Sequence, residues 1–189
     1  MLGAKLGHFL DSPLGPIAKR IPLSPNILTI VGFLITVVAA LVIPNNLRLG
    51  GVLILIGGIF DMLDGIVART GGKTTRYGAF LDSVLDRYSD AFIFLAIAWY
   101  LEKNGNHTGA LISLGTLIGA FLISYARARS EGLGESCNTG IMERPERIIL
   151  LIFATITGWL VPVLWIMLIL THITVVQRTY HVWKLMRKQ

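Results

Sequence analysis

The chain has 189 residues, of which 53% are hydrophobic and only 15% are charged, and its formal net charge is +6. The high hydrophobic and low charged fractions favour a membrane protein over a water-soluble one, and the length allows one domain. A nucleic-acid-binding protein is disfavoured, because no basic soluble domain is present to carry that function. The single cysteine, Cys137, excludes an intramolecular disulfide.

Apolar runs of membrane-spanning length recur along the chain after a mixed N-terminal segment. Residues 1–21 alternate apolar and charged positions, which predicts an amphipathic helix on the inner membrane surface. Residues 22–189 predict a bundle of six transmembrane helices, each near the ~20 residues that cross about 30 Å of hydrocarbon. The predicted spans are 27–43, 50–69, 79–101, 110–129, 145–160 and 161–183. We therefore expect an all-α integral membrane protein with residues 1–189 in a single membrane domain.

Positive residues are distributed unevenly between the ends of these spans. Fifteen of the 17 lysine and arginine residues lie before span one, around the 2–3 and 4–5 connections, or at the C-terminal end. Only Arg48 and Lys103 lie on the other side. The positive-inside rule then places both termini and these two connections in the cytosol. We expect a multi-pass plasma membrane protein whose basic side faces anionic membrane lipids.

Four aspartates interrupt the second and third predicted spans. Asp61 and Asp64 lie within the second, and Asp82 and Asp86 open the third. An aspartate at the bilayer centre costs roughly 2.5 kcal/mol or more, so a compensating cation is expected. At about 100° per residue, each pair occupies one face of its helix. Three small residues share these faces: Gly65, Ala68 and Gly78. Small residues allow a helix or a ligand to approach closely, and the carboxylates beside them favour a ligand.

The two carboxylate pairs form an oxygen-only ligand set on neighbouring helices. Such sets suit hard divalent cations, Mg²⁺ first, with Mn²⁺ or Ca²⁺ as alternatives. Zinc is disfavoured because no Cys or His belongs to the set. A second interpretation treats the aspartates as structural ion-pair partners of Arg69, Arg76 and Arg87. Asp90 continues the stripe one turn further on, where we expect it to support the site or the helix packing.

The complete pattern resembles a known family signature. It reads Asp61-x2-Asp64-Gly65-x2-Ala68-Arg69-x8-Gly78-x3-Asp82-x3-Asp86 and is similar, at every signature position, to the CDP-alcohol phosphotransferases. The resemblance covers the whole chain. It implies a phospholipid-biosynthesis enzyme that moves a phosphatidyl group from CDP-diacylglycerol to an alcohol and releases CMP. It also implies a homodimer with an active site open to the cytosol.

The same resemblance implies roles for individual residues. Asp61, Asp64, Asp82 and Asp86 are expected to hold two Mg²⁺ ions, with Mn²⁺ as the alternative. Asp86 is also the expected catalytic base, which takes the proton from the attacking hydroxyl. Residues expected to bind the nucleotide and the lipid donor are Pro25, Asn26, Ile27, Gly65, Ala68, Arg69, Thr75 and Gly78. Helix capping would explain Asn26 equally well.

A second polar cluster bears on the identity of the acceptor. It lies at the inner ends of spans four, five and six and comprises Ser124, Arg127, Arg144, Arg147 and Arg178. Arginine binds phosphate bidentately, so the cluster predicts an acceptor that is itself phosphorylated. The alternative is a set of boundary arginines with a Glu143–Arg147 pair at i,i+4 spacing.

Three segments resemble one branch of the family. Residues 124–134 and 140–147, together with Gln177-Arg178, are similar to phosphatidylinositol-phosphate and archaetidylinositol-phosphate synthases. This resemblance implies CDP-diacylglycerol or CDP-archaeol as the donor and inositol 1-phosphate as the acceptor. Arg127 stands where actinobacterial members often carry lysine. Glycerol 3-phosphate, the acceptor of phosphatidylglycerophosphate synthases, is the alternative; serine fits less well because it needs no cluster of arginines.

An ion or proton transporter is the main alternative outside the enzymes. A transporter spreads ionisable residues across the depth of the membrane, or shows inverted repeats and broken helices. Spans one, four and five carry no acidic residue in their middle, and the four aspartates cluster toward one side. The pattern therefore favours the enzyme.

Overall fold

A computed structural model describes residues 23–187 of the chain, so the interfacial helix predicted at 1–21 lies outside the described residues. The described part is all-helical, with no strand between residues 23 and 187. Its six helices are α1 Pro25–Val42, α2 Leu47–Thr70, α3 Arg76–Lys103, α4 His107–Gly132, α5 Arg144–Thr157 and α6 Leu160–Met186.

Local sequence signals explain where most of these helices begin. Three helices start at a polar residue whose side chain accepts a hydrogen bond from a backbone amide three residues on. The pairs are Asn46 with Leu49, Thr75 with Gly78, and Asn106 with Gly109, at 3.0, 2.9 and 2.8 Å. Ser24 precedes α1 and Pro25 is its first residue, a position that suits the fixed φ of proline. Asn26 lies inside that first turn, so the helix-capping explanation of Asn26 is wrong.

The helices pack in a connected bundle. α2 packs against α1 and α5, α3 packs against α1 and α4, and α6 packs against α4 and α5. Small residues bring α1 and α2 close together, since a Cβ atom at Gly57 would lie 2.8 Å from Thr36 Oγ1 and 3.2 Å from the Gly32 carbonyl oxygen. This contact lies one turn before Asp61 and holds the acidic face of α2 beside α1.

Four of the six described helices are long and apolar enough to cross a membrane: α1, α2, α4 and α6. The helix α5 has 14 residues, about 21 Å at 1.5 Å per residue, which is shorter than the hydrocarbon layer. The helix α3 has 28 residues, but its first half carries four charged side chains, those of Arg76, Asp82, Asp86 and Arg87. Span three and span five therefore stay predictions.

Large apolar side chains cover much of the outer surface of the described bundle. Leu41 is 72% exposed, Leu111 is 69% exposed and Val176 is 67% exposed. Such wide exposure of large apolar side chains is unusual for a water-soluble protein, whereas lipid tails cover them at no cost. The surface and the four apolar helices are those of a membrane protein.

Candidate active site

Three aspartates from two helices meet in one cluster. Asp61 and Asp64 lie on α2 and Asp82 lies on α3, and one carboxylate oxygen from each lies within 4.8 Å of the others. Asp64 is 6% exposed, and its Oδ2 atom has no hydrogen-bond partner. A buried carboxylate oxygen without a donor is costly, and carboxylate oxygens are the ligands that a hard divalent ion prefers. The cluster therefore fits a divalent cation.

Asp86, the predicted base and fourth metal ligand, lies outside this group of three. It follows Asp82 by one turn of α3, and its side chain is 14% exposed. Its Oδ1 atom lies 2.7 Å from Arg144 Nη1, and its Oδ2 atom lies 3.6 Å from Arg87 Nη1. Asp86 thus belongs to the same acidic face but contacts arginines.

The first residue of α5 brings a positive charge into the acidic cluster. Arg144 Nη1 donates a hydrogen bond to Asp61 Oδ2 at 2.7 Å, and Arg144 Nε lies 3.7 Å from Asp90 Oδ1. The side chain is 19% exposed. The ion-pair interpretation of the sequence named three other arginines, and one of these, Arg87, contacts Asp86. Arg144 was predicted to bind the acceptor, and its contacts with the aspartates were not predicted.

Two adjoining cavities surround the aspartates. The larger has a volume of about 470 Å³ and has apolar walls from α1, α2 and α5 that include Phe33, Ile54 and Ile148. Its polar lining consists of Asp61, Asp64, Asp82, Asp86, Arg69 and Arg144, with Thr29, Thr36 and Ser89. The smaller cavity has a volume of about 130 Å³ and lies between the starts of α1 and α3 and the end of α2. Both cavities are lined by Thr29, Asp64, Gly65 and Asp82.

The predicted nucleotide-binding residues gather mainly around the smaller cavity. Its lining includes Pro25, Asn26, Gly65, Ala68, Thr75 and Gly78. A Cβ atom at Gly78 would lie 2.9 Å from Asn26 Oδ1 and from Thr75 Oγ1, so the glycine lets these side chains close over the start of α3. Arg69 lines the larger cavity, whereas Ile27 lines neither cavity formed by residues 23–187 and is 46% exposed.

Lys73 and Thr74 also line the smaller cavity, and neither was predicted as a site residue. Their loop carries a signal that could have identified them. It begins two residues after Arg69, contains two glycines, and ends at the N-terminus of α3. Loops of this kind at a helix N-terminus commonly bind phosphate.

Two of the predicted acceptor residues lie near the C-terminal end of α4, away from both cavities. Arg127 Nε donates to Glu131 Oε1 at 2.8 Å, and both side chains are 51% exposed. Ser124 Oγ accepts a hydrogen bond from Arg87 Nη2 at 2.9 Å. Neither Arg127 nor Ser124 lines either cavity formed by residues 23–187.

The other two predicted acceptor arginines are buried and bound to protein groups. Arg147 Nη2 donates to Asp90 Oδ2 at 2.7 Å, and both side chains are 1% exposed. Arg178 donates from Nε to the Thr139 carbonyl at 2.8 Å and from Nη1 to the Ile123 carbonyl at 2.7 Å. The Arg178 contacts tie the loop before α5 to α6 and α4, and the Arg147 contact ties α5 to α3.

Comparison with known proteins places this geometry in a family. The family described as CDP-alcohol phosphatidyltransferase matches residues 22–177. The chain is 37% identical over 184 residues to an archaetidylinositol phosphate synthase of Methanothermobacter thermautotrophicus, covering 94% of this chain and 90% of the relative. It is 38% identical over 186 residues to a phosphatidylinositol phosphate synthase of Corynebacterium glutamicum, covering 93% of this chain and 85% of the relative.

Solved structures agree with these sequence relatives. The crystal structure of Mycobacterium tuberculosis phosphatidylinositol phosphate synthase with CDP-DAG bound superposes with a TM-score of 0.81 at 33% identity, covering 89% of this chain and 92% of that chain. A second structure of that enzyme, in complex with manganese and citrate, gives a TM-score of 0.82 at 33% identity, covering 89% of this chain and 88% of that chain. From the aspartate cluster, the family match and these relatives together, the chain belongs to the CDP-alcohol phosphatidyltransferase family and is a transferase.

Proposed function

We propose that the protein transfers a phosphatidyl or archaetidyl group from a CDP-linked lipid to inositol 1-phosphate and releases CMP. The observation that carries the proposal is one cavity that joins an apolar wall, the aspartate cluster and Arg144. The apolar wall suits a lipid chain, the aspartate cluster suits a diphosphate with its metal, and Arg144 suits a phosphorylated alcohol. Relatives with 37 and 38% identity over nearly the whole chain are named inositol-phosphate lipid synthases, which favours this acceptor.

The donor is proposed to occupy both cavities. The apolar wall of the larger cavity suits the lipid chains, and the smaller cavity beside Thr75 and Gly78 suits the nucleotide. The diphosphate between them then lies beside Asp64, which lines both cavities. CDP-DAG bound to the Mycobacterium tuberculosis enzyme supports the choice of donor.

The metal-binding residues are proposed to be Asp61, Asp64 and Asp82, with Asp86 as a fourth. Two Mg²⁺ ions are proposed, with Mn²⁺ as the alternative, and manganese in a structure of the Mycobacterium tuberculosis enzyme supports a divalent ion. When bound, such ions neutralise the diphosphate and the charge that develops on the leaving CMP.

Asp86 is proposed to act on the acceptor hydroxyl. It accepts the hydroxyl proton while the alcohol oxygen attacks the phosphorus that carries the lipid. The bond between this phosphorus and the CMP oxygen breaks, and CMP leaves with the bonding electrons. Arg144 lies 2.7 Å from Asp86, so a phosphate held by Arg144 places its alcohol near the base.

Arg144 is the proposed contact for the acceptor phosphate, because it is the predicted acceptor residue that lines the larger cavity. Ser124, Arg127, Arg147 and Arg178 stay predictions for acceptor binding. We expect Arg144→Gln to raise the KM for the acceptor about 10- to 100-fold, as the loss of a charged hydrogen bond does, and to change the donor KM much less. The matched control is Arg129→Gln, at an exposed position on α4. Equal changes in both KM values would contradict the assignment.

The reaction is tested by CMP release from purified protein in detergent or liposomes. The donors are CDP-diacylglycerol and CDP-archaeol with Mg²⁺, and the acceptors are inositol 1-phosphate, glycerol 3-phosphate and serine. We expect the highest kcat/KM with inositol 1-phosphate. Faster turnover with glycerol 3-phosphate would identify a phosphatidylglycerophosphate synthase instead. No turnover with any acceptor, together with ion flux across the vesicles, would favour a transporter.

The arrangement in the membrane is part of the proposal. We infer six crossings within a single domain of residues 1–189, an interfacial helix at 1–21, and a homodimer in the plasma membrane. Both termini and the active site face the cytosol, which the excess of lysine and arginine at those positions supports. Tags at the two termini should be protected from protease in sealed, right-side-out vesicles. Cleavage of either tag there would contradict this orientation.

A further inference from the structure

Asp90 is a buried carboxylate for which the proposed reaction has no use. It lies on α3 one turn beyond Asp86, and its side chain is 1% exposed. Its Oδ2 atom accepts a hydrogen bond from Arg147 Nη2 at 2.7 Å, and its Oδ1 atom lies 3.7 Å from Arg144 Nε. A single carboxylate on α3 therefore faces the guanidinium groups of two residues on α5.

Arg144 connects Asp90 with the active site. Its Nη1 atom contacts Asp61 at 2.7 Å and Asp86 at 2.7 Å, on the side where the guanidinium lines the larger cavity. Its Nε atom faces Asp90. Because a guanidinium group is planar and rigid, a charge that holds the Nε edge also sets the direction of the Nη atoms.

Arg147 fixes the position of Asp90 through the second carboxylate oxygen, Oδ2. Its side chain is 1% exposed, so it needs a counter-charge, and Asp90 supplies one at 2.7 Å. The backbone of α5 packs against α2 and α6, and these ion pairs connect it with α3. With Oδ2 bound to Arg147, the Oδ1 atom of Asp90 is left facing Arg144.

We propose that Asp90 is a positioning residue for Arg144. Its carboxylate holds the Nε edge of Arg144, so that the guanidinium stays at the cavity wall and binds the acceptor phosphate. The proposal rests on the proposed function, since it takes Arg144 as the contact for that phosphate. Asp90 touches no reacting atom and acts through Arg144. A role in helix packing alone would lower the amount of folded enzyme and leave both KM values unchanged.

A double-mutant cycle separates these roles. Asp90→Asn should raise the KM for inositol 1-phosphate about tenfold and leave the KM for CDP-diacylglycerol unchanged. In an Arg144→Gln background, Asp90→Asn should raise the acceptor KM no further, because residues that act through one contact are not additive. Additive effects, equal effects on both KM values, or a fall in kcat alone would overturn the proposal.

A second variant keeps the test valid where Asp90→Asn does not fold. Asp90→Glu retains the charge opposite Arg147 and displaces the carboxylate by one methylene, and thermal unfolding in detergent checks that it is folded. A raised acceptor KM with an unchanged donor KM in this variant supports the proposal. Wild-type values of both in the folded variant overturn it.

The same cycle distinguishes a failure of the proposal from a failure of the proposed function. If the wild-type protein turns over glycerol 3-phosphate and not inositol 1-phosphate, the proposed acceptor is wrong. The cycle is then run with glycerol 3-phosphate, which carries the same phosphate group. A selective, non-additive rise in its KM supports the role of Asp90, and additive effects overturn it.

Discussion

Replacing Asp64 with asparagine should abolish metal binding and, in the absence of metal, make the folded protein more stable. Asp64 is 6% exposed, its Oδ2 atom has no hydrogen-bond partner, and its carboxylate lies within 4.8 Å of two others. Without a cation these like charges repel each other, and an amide nitrogen gives the neighbouring carboxylates a donor. We therefore expect a higher Tm for metal-free Asp64→Asn than for the metal-free wild-type protein.

Addition of Mn²⁺ should reverse this order. At 100 times its Kd, a metal that binds only the folded state stabilises that state by about 2.7 kcal/mol, and the wild-type protein should show this gain. Asp64→Asn should lose at least about 100-fold in Mn²⁺ affinity, beyond the 10- to 100-fold that the loss of a supporting contact costs. Asp64→Asn should also lose turnover, because it no longer binds the metal. Calorimetric titration with Mn²⁺ and thermal unfolding in detergent measure both quantities.

Glu102→Gln is the matched carboxylate-to-amide control for this experiment. Glu102 lies at the far end of α3, about 30 Å along the helix from Asp82, and pairs with His107 at an exposed position. Its variant should bind Mn²⁺ as the wild-type protein does. The structural ion-pair interpretation predicts the opposite result for Asp64, namely a lower Tm in the absence of metal and no effect of Mn²⁺ on either protein.

Helical periodicity was sufficient to predict the acidic faces of α2 and α3. Side chains three or four residues apart in a helix point in nearly the same direction. The spacing of Asp61 and Asp64 therefore places both on one side of a helix. The structure brings both together with Asp82, as the sequence indicated. Asp86 also lies on that side, yet its contacts are with arginines. Local spacing gives the face of a helix, and it does not give the partner on another helix.

The partners of the acidic face depend on long-range packing, which no local pattern reports. Arg144 reaches Asp61 from 83 positions away because α5 packs against α2. The end of α5 was predicted three residues too late, at 160: a left-handed residue, Gly158 at φ +82°, ends the helix at Thr157 and separates it from α6. The hydropathy of residues 145–183 gives no sign of that break. The glycine at position 158 was a sequence signal for it.

The buried arginines have protein partners that the sequence did not indicate, while their acceptor roles stay predictions. Arg147 and Arg178 were predicted to bind an acceptor phosphate because arginine is the residue that does so best. In the structure, Arg147 binds Asp90, and Arg178 binds backbone carbonyl groups of Thr139 and Ile123. A sequence shows that a cation is present, whereas only the packed structure shows which anion or carbonyl group it meets.

Replacing Asp86 with asparagine should abolish turnover while donor binding survives. The base accepts a proton only in the transition state, and its loss costs about 10²- to 10⁴-fold in rate. In the wild-type protein, Asp86 Oδ1 lies 2.7 Å from Arg144 Nη1. Asparagine keeps the shape of the side chain and an oxygen that can face Arg144, so the cavity should keep its form. CMP release gives kcat, and equilibrium binding of CDP-diacylglycerol in the presence of Mn²⁺ gives the donor affinity.

The pattern across the aspartates decides between a base and a metal ligand. Asp86→Asn should lower kcat by at least about 100-fold and cost much less Mn²⁺ affinity than Asp64→Asn does, since Asp61, Asp64 and Asp82 form the cluster without it. Asp64→Asn should lose both. A loss of Mn²⁺ affinity in Asp86→Asn as large as that in Asp64→Asn would make Asp86 chiefly a metal ligand. A kcat within tenfold of wild type would remove it as the base.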